Sequence, residues 1–138
     1  MNKALIYPMF SMVLLTFAVA AILLKVRVKA ALSGKVQMRY YKTFTEGEPT
    51  EEMLKASQHF TNLFEIPILF YAGCLAAMQT EVTKGIIISA WIFVLSRVAH
   101  AVVHIGSNRV KYRMRAYLLS WFALMSLWIG IVWNVAQS

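Results

Sequence analysis

Three short constellations in this chain combine residue types suited to holding and activating a small anionic molecule. Asn62 and Glu65 stand at i and i+3, a spacing that puts both on one face of a helix. Arg97, His100 and His104 fall at i, i+3 and i+7, a second such stripe, and Arg109, Arg113 and Tyr117 follow each other at i+4 intervals as a third. Guanidinium groups hold anions, imidazoles hold or move protons, and an amide beside a carboxylate orients a polar ligand. His100 and His104 also have the i, i+4 spacing of a metal-binding pair. The neighbouring arginines repel a cation, however, and the sequence offers no second ligand cluster, so no metal is assigned. The single cysteine, Cys74, excludes an intramolecular disulfide and any cysteine-built metal centre. It sits mid-helix beside Gly73 and reads as a packing residue, because a reactive thiol needs exposure and electropositive surroundings.

The elements that position these groups belong to a bilayer. Of 138 residues, 59% are hydrophobic and 14% charged, a balance outside that of a water-soluble enzyme. Four apolar runs, Ala4 to Leu24, His59 to Met78, Gly85 to Ile105 and Ala116 to Ala136, each approach the ~20 residues of a membrane-spanning helix. The first is too long for a signal-peptide core and is read as a retained helix. The expected fold is therefore all-α, an integral membrane four-helix bundle forming one domain over residues 1–138, with helices at about 4–24, 50–79, 85–106 and 112–136.

Charge orients the bundle. Fourteen Lys and Arg face six Glu and no Asp, a net charge of +8. Lys25, Arg27, Lys29, Lys35, Arg39, Lys42 and Lys55 lie between the first two runs, and Arg109, Lys111, Arg113 and Arg115 between the last two. The positive-inside rule puts both basic segments in the cytoplasm and both termini on the far side. Lys111 and Arg115, off the Arg109–Arg113 stripe, are expected at lipid headgroups, so the basic charge does not imply a nucleic-acid partner. Thr50 followed by Glu51 and Glu52 reads as a helix N-terminus, with Thr50 as cap and the carboxylates on the positive end of the dipole. Pro67 is expected to bend the second membrane helix.

Ionisable groups inside a membrane helix are costly unless they face a protein interior or a wet cavity, so they mark functional sites. At 1.5 Å per residue, Glu65 lies about 9 Å inside from His59, and His100 about 8 Å inside from Ile105. Asn62, Glu65, His100, His104 and Arg113 are thus expected to converge at one depth near the cytosolic face. Arg97 lies about one turn deeper, where pairing with Glu65 would offset its desolvation. The result is a largely cationic pocket, open to the cytosol and half within the membrane. Three uses are open for it: activation of an anionic thiol, non-catalytic binding of an anionic lipid or partner, or transport or handling of a metal, against which the surplus of arginines argues.

These residues carry a resemblance. Asn62-Leu63-Phe64-Glu65-Ile66-Pro67 resembles the N-x-x-E motif of the membrane-associated proteins in eicosanoid and glutathione metabolism, the MAPEG family. The stretch from Arg97-Val98-Ala99-His100 through Arg109, Arg113 and Tyr117 is similar, without gaps, to that family's third and fourth helices. The resemblance implies a homotrimer with glutathione as thiol co-substrate, held between subunits near the cytosolic face. It implies that Asn62, Glu65 and His100 bind the peptide and amino end of glutathione, with His104 at a position where relatives carry tyrosine. Arg113 takes the place of the arginine near the glutathione sulfur, and Tyr117 that of the tyrosine beside it. Arg27 and Arg109 match further glutathione-contacting or electrostatic positions, and Arg97 a supporting one. Gln58, Thr61 and Met114 depart from arginines and a serine found in relatives, so eicosanoid synthesis is not carried over. The implied activity is a glutathione transferase or peroxidase, with Arg113 stabilising the thiolate for attack on a lipophilic small molecule delivered by the membrane.

Overall fold

The computed structural model describes residues 3–37, 39–44, 48–107 and 109–137, and within them the chain forms helices joined by turns. A single 3-10 turn, Lys3–Leu5, leads into α1 (Ile6–Leu32). A one-turn helix, α2 (Tyr40–Thr43), precedes α3 (Glu51–Asn62), α4 (Ile66–Ala77), α5 (Lys84–Ile105) and α6 (Val110–Gln137). Four stretches are long and apolar enough to cross a membrane: Lys3–Leu32, Glu51–Ala77, Lys84–Ile105 and Val110–Ala136. The all-α architecture with four spans is the one the sequence leads one to expect.

Two boundaries differ from the apolar runs. The first helix continues to Leu32 instead of stopping near Leu24, so Lys25, Arg27 and Lys29 ride on a helix rather than in a loop. Hydropathy marks where lipid contact ends, whereas hydrogen bonding continues wherever helix-forming residues such as Lys, Ala and Leu follow. The second span is not one bent helix but two, α3 and α4, separated at residues 63–65. Pro67 occupies the first turn of α4. It has no N–H to give, and its ring would collide with the carbonyl of Leu63 in a continuous helix. The break is bridged by tighter bonds from Leu63 N to Phe60 O (3.1 Å) and from Phe64 N to Thr61 O (2.9 Å).

The start of α3 follows its sequence signal: Thr50 is extended, and its side chain accepts from Met53 N at 3.3 Å. Glu51 adds an exposed i, i+4 ion pair with Lys55. The interior is built from one face of each long helix. Met12 and Val19 of α1, Phe70 and Cys74 of α4, Phe93 of α5 and Leu127 of α6 are all buried in it. Phe70 and Phe93 stack at 4.4 Å between ring centroids. Cys74 is fully buried, as a packing residue should be. Gly73 lets α4 and α6 approach closely, since a Cβ there would lie 2.7 Å from Leu127 Cδ2 and 3.1 Å from Trp128 Nε1. The outward faces carry large apolar side chains such as Phe17, Val102 and Phe122, each about 70% exposed, the surface a bilayer solvates.

Candidate functional site

The break between α3 and α4 frees the carbonyl of Asn62 from its helical partner, and Arg97 takes that role. Arg97 reaches from α5 and donates from Nη2 to both Asn62 O and Asn62 Oδ1, each at 3.1 Å. One guanidinium nitrogen therefore both caps the end of α3 and fixes the Asn62 side chain. This corrects the expected pairing with Glu65: among the described residues Arg97 makes no ion pair, and Glu65 is exposed. The reason is local, because Asn62 ends α3 whereas Glu65 lies beyond it at the cap of α4. The Arg97 guanidinium carbon also lies 5.8 Å from the Tyr117 ring centroid, within cation–π range.

Around this break α3, α5 and α6 line an open cavity of about 670 Å³, within the ~300–1,000 Å³ usual for ligand sites. Its walls include Asn62 and Glu65 from the broken span, His100 and His104 from α5, and Arg113 and Tyr117 from α6. Backbone that leaves helical geometry at membrane depth is tolerated where it lines such a cavity, which accounts for a broken span at this point. His100 Nδ1 lies 3.2 Å from Arg113 O, and Arg113 Nη1 lies 3.3 Å from His104 Nε2. The two histidines thus hold Arg113 by its backbone and by its head group. The His100 and Tyr117 rings pack at 5.7 Å.

Of the eight residues given a catalytic or ligand-binding role from sequence, these six share the cavity. Arg27 and Arg109 do not line it. Arg27 lies over the Phe44 ring at 5.4 Å, in a small neighbouring crevice that also involves Tyr40 and Met53. Arg109 is exposed just ahead of α6, where its carbonyl accepts from Tyr112 and Arg113 and so starts the helix. Gln58, Thr61 and Met114 also line the cavity.

A scan against family models matches residues 5–133 to the MAPEG family. The chain belongs to the MAPEG family. Its members are membrane proteins that include glutathione transferases and eicosanoid synthases. No individual curated protein matches the chain significantly.

One residue of this MAPEG chain escaped the sequence reading. His59 of α3 is fully buried, and its ring packs 5.4 Å from that of His100 and 5.0 Å from that of His104. It stands three residues before Asn62, so the helical spacing already put it on the Asn62 face. It had registered only as the start of an apolar run. The sequence argues against a metal from the neighbouring arginines and the lack of a second ligand cluster; the fold adds a third imidazole, His59, beside the His100–His104 pair.

Proposed function

We propose that this MAPEG protein is a membrane-embedded glutathione-dependent transferase or peroxidase in which Arg113 stabilises the glutathione thiolate. The observation that carries the reading is the convergence of Arg113 with Asn62, Glu65, His100 and Tyr117 on one cavity at the break in the second span. A thiol of ordinary pKa, ~8.5, is mostly protonated at neutral pH, and the thiolate is the nucleophile. A guanidinium within hydrogen-bond range favours loss of the thiol proton to water, more so where the site is partly dehydrated. His104 and the Arg113 carbonyl's bond to His100 hold that guanidinium in place. Asn62, oriented by Arg97, and Glu65 bind the peptide and amino end, with His100, His104 and Tyr117 completing the wall.

In the transferase reaction the thiolate sulfur attacks an electrophilic carbon, a C–S bond forms, and the leaving group departs with its electron pair. In the peroxidase reaction the thiolate attacks the O–O bond, releasing an alcohol and a sulfenic acid that a second glutathione converts to the disulfide and water. The chain contributes no nucleophile of its own; the bilayer concentrates the lipophilic partner. The site faces the cytoplasm and both termini the opposite side, by the placement of the basic segments. The active assembly is a homotrimer, and Arg27, which stands outside the cavity of its own chain, serves the site of a neighbouring protomer.

The test is conjugation of glutathione to a chlorinated nitrobenzene by purified protein in detergent. Arg113→Leu is expected to abolish turnover and the ultraviolet absorbance of enzyme-bound thiolate while glutathione still binds. Full activity in that variant removes Arg113 from its role. Gln58 and Thr61 line the cavity without adding charge, which weakens its hold on any anion; the alternative use of the same basic pocket is non-catalytic binding of an anionic lipid. Calorimetry that gives phospholipid binding and no heat with glutathione decides for that alternative.

A further inference from the structure

We propose that His59, His100 and His104 form a binding site for a late first-row transition-metal cation such as zinc(II). The three come from two helices that the fold packs together, His59 from α3 and the i, i+4 pair from α5. One ring nitrogen from each lies within 4.8 Å of the others, and all three side chains are buried. Tetrahedral zinc with ligands at about 2.0–2.1 Å needs nitrogens about 3.3 Å apart, so closure takes ring displacements of up to about 1.5 Å by side-chain rotation.

The hydrogen bonding points the same way. Among the described residues neither nitrogen of His59 has a partner, nor has His100 Nε2 or His104 Nδ1. Buried polar atoms are rarely left so, and three neighbouring imidazoles that each carry at least one, with a nitrogen from each within 4.8 Å of the others, call for a ligand that accepts lone pairs. His100 directs Nδ1 at the carbonyl of Arg113, the outer contact by which metal-bound histidines fix their tautomer and turn the other nitrogen to the metal. His104 is the ligand that has to adjust, because its Nε2 accepts from Arg113. His59 does not line the cavity assigned to the thiol, so glutathione binding gives it no work.

Charge sets the class of cation. Arg97 is fully buried nearby and Arg113 adjoins His104, and no carboxylate or thiolate belongs to the set. Hard ions such as magnesium and calcium, which bind through oxygen and charge, are disfavoured; copper, nickel and zinc, which gain from imidazole donors, are favoured. His100 and His104 also line the cavity, so the fourth coordination position opens onto it, the arrangement of a site with three protein ligands and one exchangeable ligand.

The metal site shares His100 and His104 with the proposed glutathione site but does not depend on that reading, and it is tested without any thiol. Full-length protein in detergent, freed of any histidine tag and stripped with a chelator, is titrated with zinc(II) by calorimetry and with cobalt(II) by its visible d–d absorption. The expected result is one ion per chain, a tetrahedral cobalt spectrum, and no response to magnesium. His59→Phe and, separately, His104→Phe should each weaken zinc binding by about 100-fold or more, with circular dichroism checking that each variant is folded. Absence of stoichiometric zinc uptake by the stripped protein overturns the proposal. So does zinc binding that survives in both folded variants.

Discussion

Replacing Arg97 by leucine separates its part in stability from its part in positioning. The guanidinium makes two bonds to Asn62 at 3.1 Å. Bonds from a charged donor are worth about 1.5–3 kcal/mol each, so about 3–6 kcal/mol is lost with them. Against this, Arg97 Nε and Nη1 are buried and meet no partner among the described residues. Each such donor costs about 1–3 kcal/mol or more when charged, so removing the group returns about 2–6 kcal/mol. The two contributions nearly cancel, and leucine fills part of the apolar volume. Arg97→Leu is therefore expected to fold with a thermal midpoint within a few degrees of wild type. The Asn62 amide, freed of both bonds, then samples several rotamers. A loss of about 1.4 kcal/mol in its fixed orientation is about tenfold in affinity, so KM for glutathione should rise about tenfold with a smaller change in kcat. Arg97→Lys should recover little, since both bonds come from the terminal Nη2 and the lysine ammonium sits one bond shorter on its chain. The assay is steady-state conjugation at varied glutathione, paired with thermal unfolding in detergent. A collapse in stability with KM unchanged in the folded fraction would refute this assignment and make Arg97 a purely structural residue.

Other substitutions probe the elements that hold the cavity. Pro67→Ala removes the obstacle to a continuous helix at residues 63–67; helicity and thermal midpoint should hold or rise while glutathione affinity falls, because Asn62 O would then bond along the helix instead of to Arg97. Gly73→Leu places atoms where Leu127 and Trp128 already sit and should cost about 1–3 kcal/mol or more, read as a lowered unfolding midpoint. Thr50→Ala deletes the cap on Met53 N and should cost about 1 kcal/mol, whereas Thr50→Ser should retain most of the stability in the same measurement.

Particular residues divide what could be read from the chain. The count of spans and the class of fold were legible because a bilayer imposes length and composition directly on each helix. The start of α3 at Thr50 was legible because capping is local. The shared cavity of Asn62, Glu65, His100, His104, Arg113 and Tyr117 was legible because helical spacing fixes which residues share a face and depth along each helix. Arg97's partner was not. Opposite charges at similar depth suggested Glu65, but the choice fell to Asn62, whose carbonyl became available only once Pro67 had broken the span.

By itself, then, the sequence determined which side chains lie on one face and how deep they lie, since both follow from the rise and period of a helix. Tertiary structure decided which faces meet. It left Arg27 and Arg109 outside the cavity, gave the end of α3 to Arg97 and brought His59 against His100 and His104. Such choices depend on how whole helices pack and where one of them is interrupted, and neither is encoded in the spacing of residues along a single helix.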